Sequence, residues 1–278
     1  MPTAVPTAVP TAVPTSVPTA TPADDRDVGF SGLFDALSVG GYMISAALGD
    51  ATAQNNLGYA YQYGEGVEQD YEQALYWYQM SADQGNEVAQ YNLGYMYQLG
   101  EGVPQDYAEA VKWYTLAANQ GLPEAQSIMG YMCYNGYGVP KNDTKAVEWY
   151  TLAANQGYLD AQSSLGYLYT NGYGVPADDV KAAYWYTRAA EQGDPDSQLA
   201  IGHMYFFGNG VEQNYITAAY WIEKAANQGV ALAQYDMGYL YEEGYGVPQN
   251  SAQALYWYSL AAAQGDADAQ AKVRELTR

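Results

Sequence analysis

From residue 50 onward the apolar positions fall in blocks whose spacing is helical. Between 51 and 63, Ala53, Leu57, Ala60 and Tyr61 recur three or four residues apart, which predicts one amphipathic helix. Gly64 is placed to end it as the left-handed residue beyond the last turn. A short loop with Gly66 and Val67 leads to Asp70, a residue type whose side chain accepts hydrogen bonds from the free amides of a following helix. Ala74, Trp77, Tyr78 and Ala82 then share one face of a second predicted helix, which closes at Gly85. Asn86 opens another first helix, and Pro123 and Pro195 stand at the corresponding first helical positions further along.

The block recurs every 36 residues without an insertion. Gly58, Gly94, Gly130, Gly166, Gly202 and Gly238 form one series, and Gly85, Gly121, Gly157, Gly193, Gly229 and Gly265 another. All six tryptophans fall in a third series, Trp77, Trp113, Trp149, Trp185, Trp221 and Trp257. The places of Asp70 hold Asp106, Asn142, Asp178, Asn214 and Asn250, every one a helix N-cap residue. Pro104, Pro140, Pro176 and Pro248 precede four of them by two residues. Residues 50–265 are therefore six tandem helix pairs. A fixed period of this length, with no long-range pairing demanded, predicts an all-α fold. It is a right-handed α/α superhelical solenoid of six 36-residue helix-turn-helix repeats with terminal capping helices, one continuous core and an extended concave face. The small Gly58 series is expected to let neighbouring helices approach, with Trp and Tyr rings filling the space between layers.

The flanks read differently. Residues 1–22 repeat Pro-Thr-Ala-Val with period four, and the expectation for 1–27 is a disordered, polyproline-like tail serving as a spacer, with a docking ligand or a glycosylated stalk as alternatives. It has neither the basic nor the continuous apolar region of a secretory signal, so a cytoplasmic location is the default, and an envelope or secreted one follows if the start is truncated. Residues 28–48 are apolar enough to raise a membrane span. Shifted by 36, however, Tyr42 falls on Tyr78, Ala46 on Ala82 and Gly49 on Gly85, so 28–49 reads as an N-terminal capping half-repeat. Residues 266–278 match a first helix in which Lys272, Arg274, Glu275 and Arg278 add the polarity a capping helix needs.

The run Leu57-Gly58-x-x-Tyr61, Gly64-x-Gly66-Val67, Ala74, Trp77-Tyr78 and Gly85 resembles the Sel-one-like repeat, a relative of the tetratricopeptide repeat with a longer unit. The resemblance covers all six copies. It implies non-catalytic adaptors that gather partners in signalling, envelope assembly, host interaction or protein quality control. Some cysteine-rich bacterial members are associated with β-lactam chemistry through paired cysteines in each repeat. This chain lacks that pairing in every copy, so the activity is not carried over.

Charge and composition narrow the function further. Ten Lys plus Arg stand against 31 Asp plus Glu, a formal net charge of −21, and no basic surface for nucleic acid can be assembled from so few cations. One Cys and one His exclude a cysteine framework or a Cys-based zinc site, and no metal or other cofactor is expected. Cys133 stands at the place of Tyr61 and His203 at that of Tyr59, two copies apart. Helix layers ~10 Å thick would separate them by ~20 Å, far beyond the reach of a nucleophile and its base. Gly64-x-Gly66 follows a helix rather than a strand and recurs in every copy, so it is a turn and not a phosphate cradle.

Positions that differ between copies are free for recognition. The expected partner-binding residues, on a concave face lined by first helices, are the ladder Tyr59, Tyr95, Tyr131, Tyr167, His203 and Tyr239 together with Tyr91, Tyr134, Phe206, Phe207, Tyr235, Glu242 and Glu243. Tyrosines offer large contact area at small entropic cost. Glu242 and Glu243 oppose a helix dipole, and such local conflicts mark functional places. The expected partner is a protein or peptide of basic character; the alternative is a glycan or cell-wall module that uses the ladder for stacking.

Overall fold

The computed structural model describes residues 36–278, and among these every regular element is a helix. The expectations for the tail at 1–27 and for the start of the half-repeat lie outside the described residues. The chain divides at Tyr158/Leu159 into two compact units. The first contains α1 (Ala36–Ala47), α2 (Ala51–Tyr63), α3 (Tyr71–Asp83), α4 (Glu87–Leu99), α5 (Tyr107–Asn119), α6 (Pro123–Asn135) and α7 (Asp143–Asn155). The second contains α8 (Leu159–Asn171), α9 (Asp179–Glu191), α10 (Pro195–Phe207), α11 (Tyr215–Asn227), α12 (Ala231–Glu243), α13 (Ser251–Ala263) and α14 (Ala267–Leu276). Within each unit consecutive helices pack on one another as a solenoid of pairs. None of the described helices is long and apolar enough to cross a membrane.

The helix limits follow from local chemistry. Asp70 and Asp106 accept hydrogen bonds from the second and third amides of their helices, and Asn250 does the same for α13. Asp50, Asn86, Asp194 and Asp266 cap first-type helices by accepting from the third amide alone. Gly64 and its equivalents close the first helices with φ near +75°, a conformation that any side chain would strain. Gly246 does more, since it combines φ +71° with a space in which a Cβ would collide with the Tyr215 carbonyl.

The Gly58 series lets neighbouring helices approach, and the helices concerned are the two of one pair. A Cβ on Gly58 would lie 2.6 Å from the ring of Tyr78 in its own pair, and the same holds for Gly94 and Tyr114 at 2.7 Å. The glycine is thus a socket for a partner ring within the pair, rather than a point where neighbouring pairs approach. In five of the six pairs the side chain that fills it is tyrosine. Tyr78, Tyr114 and Tyr258 are fully buried, Trp185 and Trp257 are buried, and the half-buried Trp77, Trp113 and Trp149 pack against the core clusters.

A buried glutamine network accompanies each pair. Gln90 donates to the carbonyl of Ala82, and Gln120 donates both to Gln90 and to the carbonyl of Gly85. Gln126 with Gln156, Gln198 with Gln228 and Gln234 with Gln264 repeat the arrangement. The first-helix glutamine satisfies a carbonyl at the end of the preceding helix that would otherwise be buried unpaired at a cost of about 1–3 kcal/mol, and the exposed second-helix glutamine braces it.

At the two ends of the described chain, α1 packs Val39 and Ala46 against Ala53, Leu57 and Ala60 of α2. Ala269 of α14 joins Tyr235, Ala254, Tyr258 and Ala261.

Candidate functional site

Successive residues of an α-helix point about 100° apart. The neighbouring variable places 55 and 56, or 62 and 63, therefore cannot both face a partner. Places 55 and 62 are two turns apart and turn inward to the second helix of the same pair. Tyr91 is buried with its ring 5.5 Å from that of Tyr114, and Tyr235 is buried 5.2 Å from Tyr258. Phe206 is buried among Ala218, Ala219 and Ile222. These three are core residues and offer no contact surface.

The outward stripe of the first helices runs instead through the places of 52, 59 and 63, with place 59 buried in the copies that carry Tyr167 and His203. Place 63, just before the closing glycine, is exposed in all six copies: Tyr63, Leu99, Asn135, Asn171, Phe207 and Glu243. Three of the six are large and apolar, with exposures of 43%, 45% and 38% for Tyr63, Leu99 and Phe207. Tyr63 and Leu99 are absent from the residues expected from the sequence.

The tyrosine ladder is half open. Tyr59, Tyr95, Tyr131 and Tyr239 are half-buried, while Tyr167 and His203 are buried. Burial raises the phenol pKa of Tyr59, Tyr95, Tyr131 and Tyr239. Two of the rings lean on loop neighbours, Tyr131 on Tyr137 at 5.8 Å and Tyr239 on Tyr245 at 6.0 Å, while Tyr59 leans on Tyr63 of its own helix at 4.6 Å. Tyr134 is half-buried beneath the ammonium of Lys141, 4.8 Å from its centroid.

At the last pair, Glu242 and Glu243 part company. Glu242 is half-buried, accepts a hydrogen bond from the Tyr258 hydroxyl at 2.6 Å, and pairs with the Lys272 ammonium at 2.8 Å. Its charge at a helix C-terminus is thus offset by α14, and it ties three helices together. Glu243 is exposed.

His203 differs most from its expected role. With an exposure of 1%, it faces Asp236, at 0%, and its Nε2 lies 2.7 Å from Asp236 Oδ2. His203 Nδ1 and Asp236 Oδ1 are buried without hydrogen-bond partners. His203 is therefore part of the α10/α12 junction. Cys133 is also buried, which pushes its thiol pKa up and disfavours the thiolate a nucleophile would need. Among the described residues no group of three or more His, Cys, Asp or Glu could hold a metal ion.

A second exposed aromatic set lies on the second helices. Tyr76, Tyr184, Tyr220 and Tyr256 are each about half exposed and stand edge-on to the tryptophan that follows. Arg188 and Lys224 lie over Tyr184 and Tyr220. The signal in the sequence was Tyr-Trp at those four copies against Lys-Trp and Glu-Trp at 112–113 and 148–149.

The six windows 51–86, 88–122, 123–158, 159–194, 195–230 and 231–266 match the model of the Sel1 repeat. A solved structure of a protective antigen present in uropathogenic Escherichia coli strains, displaying an SLR fold, is 42% identical with a TM-score of 0.82. It is matched over 84% of this chain and 50% of its own. A Sel1 repeat protein from Oxalobacter formigenes is 36% identical with a TM-score of 0.72, over 84% of this chain and 68% of its own. The present chain thus spans half the length of the first and about two-thirds of the second. A comparison with curated proteins finds no match.

Proposed function

Because the chain belongs to the Sel1 repeat family, whose members are generally protein-interaction scaffolds, we propose that it is a non-catalytic scaffold whose first helices contact the partner. The contact surface is the outward stripe of these helices. In the first unit it comprises Tyr59, Tyr63, Tyr95, Leu99 and Tyr131, and in the second Phe207, Tyr239 and Glu243, with Glu242 at its edge. The observation that carries this reading is place 63, which is exposed in every copy yet holds Tyr, Leu or Phe in three. Exposed large apolar residues repeated at one structural position mark an interaction surface.

Aromatic rings beside Glu243, in a chain of net charge −21, suit a partner segment that mixes basic and apolar residues. The glycan alternative is not favoured, since the ladder rings lie against loop tyrosines instead of presenting open faces for stacking.

The test is binding of the full chain to an array of synthetic peptides that combine Lys or Arg with Leu or Phe. Phe207→Ser with Glu243→Lys should weaken the best binders about tenfold, roughly the ~1.4 kcal/mol expected when a modest contact is lost. Equal binding by the variant and the parent would remove the second unit's stripe from the contact surface.

A further inference from the structure

His203 is the one histidine of the chain, and it is buried opposite Asp236 at the junction of α10 with α12. In the first unit the same two places, on α2 and α4, hold Tyr59 and Asn92, neither of which changes charge near neutral pH. The substitution is therefore double: both partners changed, and together they form a 2.7 Å hydrogen bond.

The surroundings bind this pair tightly to its proton count. α11 faces α10 with the apolar Ala218 and Ile222. From α13 and α14 the titratable groups near this part of α12 are Tyr258, Asp266 and Asp268, and on α12 itself Tyr235 and Glu242. Of these carboxylates Asp266 adds negative charge beside Asp236, while Asp268 and Glu242 act on Tyr235. Burial raises the Asp236 pKa, the Asp266 charge adds to that rise, and His203 opposes it.

We propose that His203–Asp236 is a one-proton lock that joins the first helices of the last two repeats. With one proton the pair is neutral overall and internally hydrogen-bonded. With none, a carboxylate is buried beside a neutral ring; with two, an imidazolium is buried beside a neutral acid. Either leaves an uncompensated charge in an apolar junction.

The pH dependence follows from proton counting. In the unfolded chain Asp and His titrate near ~3.9 and ~6.5, so these two groups together carry two protons below the first value, one between them and none above the second. The folded pair retains its single proton above ~6.5, where the opened state holds none, so rising pH weakens the junction until the folded pair also empties. The raised Asp236 acts in the same direction, since stability from a carboxyl that is raised on folding is lost as pH rises through its folded value. The lock is tightest at acid pH and weakens as pH rises.

The lock bears on the contact surface because α10 carries Phe207, whose ring lies 6.4 Å edge-on to that of His203, while α12 carries Tyr239 and Glu243. This consequence rests on the scaffold reading above; the lock itself does not.

The experiment is amide hydrogen exchange of the full chain across pH 5 to 9, corrected for the intrinsic pH dependence of exchange. Opening of α12 should rise with pH above ~6.5 by up to about tenfold per unit, the limit for one proton. Exchange in α2 and α4 should lack this component. His203→Tyr with Asp236→Asn installs the residues of the α2/α4 junction and should flatten the α12 profile. A profile for the parent that matches the double variant would overturn the lock. A second readout needs only Asp236→Asn: the ring nitrogens of the single histidine, followed by NMR, should titrate differently in parent and variant. Identical titration would also overturn it. Peptide binding that stays constant while α12 exchange follows the expected profile would sink the contact surface and leave the lock standing.

Discussion

The junction of α2 with α4 and the junction of α10 with α12 share a backbone plan and differ in chemistry. In the first, Asn92 donates to Asn55 at 3.0 Å, and Tyr78 donates its hydroxyl to Gln62 at 2.8 Å beside Gly58. In the second, His203 and Asp236 form the cross-helix bond. There Ile222 fills the Gly202 socket, and Phe206 stands where Gln62 stands. The second set of changes is internally consistent. Isoleucine has no hydroxyl to satisfy, so the acceptor at its side gives way to an apolar ring. Repeats of this kind keep their socket glycine, caps and glutamine network and exchange interior partners as sets, because one member changed alone leaves a buried polar atom without its bond.

The comparison can be broken most severely at the charged junction. Asp236→Ala leaves His203 buried without its partner and should destabilise the second unit by about 3 kcal/mol or more. Asn92→Ala, at the same place in the first unit, should cost only ~1 kcal/mol, the usual net value of a neutral hydrogen bond. Urea unfolding followed by tryptophan fluorescence would read both, and equal losses would mean that the two junctions are energetically alike.

Glycine substitutions sharpen the contrast between a crowded loop glycine and an open one beyond a helix end. Gly246→Ala meets both the Tyr215 carbonyl and a left-handed backbone and should cost about 2–4 kcal/mol. Gly229→Ala has the same sign of φ but open space around it, so only the backbone term of roughly 1 kcal/mol remains. The difference in urea midpoint between the two variants measures the close approach alone.

The smallest effect tests the idea of exchangeable sets. Tyr114→Ile should lose about 2 kcal/mol, partly because Gln98 is left with a buried acceptor. Adding Gln98→Phe, which copies Phe206 and Ile222, should recover about half of that. A double-mutant cycle with no coupling between the two changes would show that the sets are independent substitutions.

Much of the fold was legible because its signals are local. Gly64, Asp70 and Pro123 act within a turn of where they stand, and a 36-residue period multiplies each signal sixfold. The contact surface was legible only in part. The reading that variable residues serve recognition did not separate place 62 from place 63, although one is packed against the second helix and the other is exposed. That distinction needs the direction of each side chain, so Phe206 and Tyr91 were assigned to a groove in which, of the rings named, only Phe207 stands exposed. The glutamines at 54 and 84 and their equivalents were as periodic as the tryptophans. Their role was missed because a polar residue repeated in sequence does not say whether it faces water or a buried carbonyl.

Helix limits, pair count, family membership and the acidic character of the chain were thus determined by the sequence itself, since each depends on residues near one another along the chain or on simple sums. Which ring enters the Gly58 socket, which carboxylate Lys272 neutralises, and that His203 meets Asp236 33 residues away were decided by tertiary structure. Those outcomes depend on which faces of separate helices are brought into contact, and on the requirement that every polar group taken out of water find a partner there.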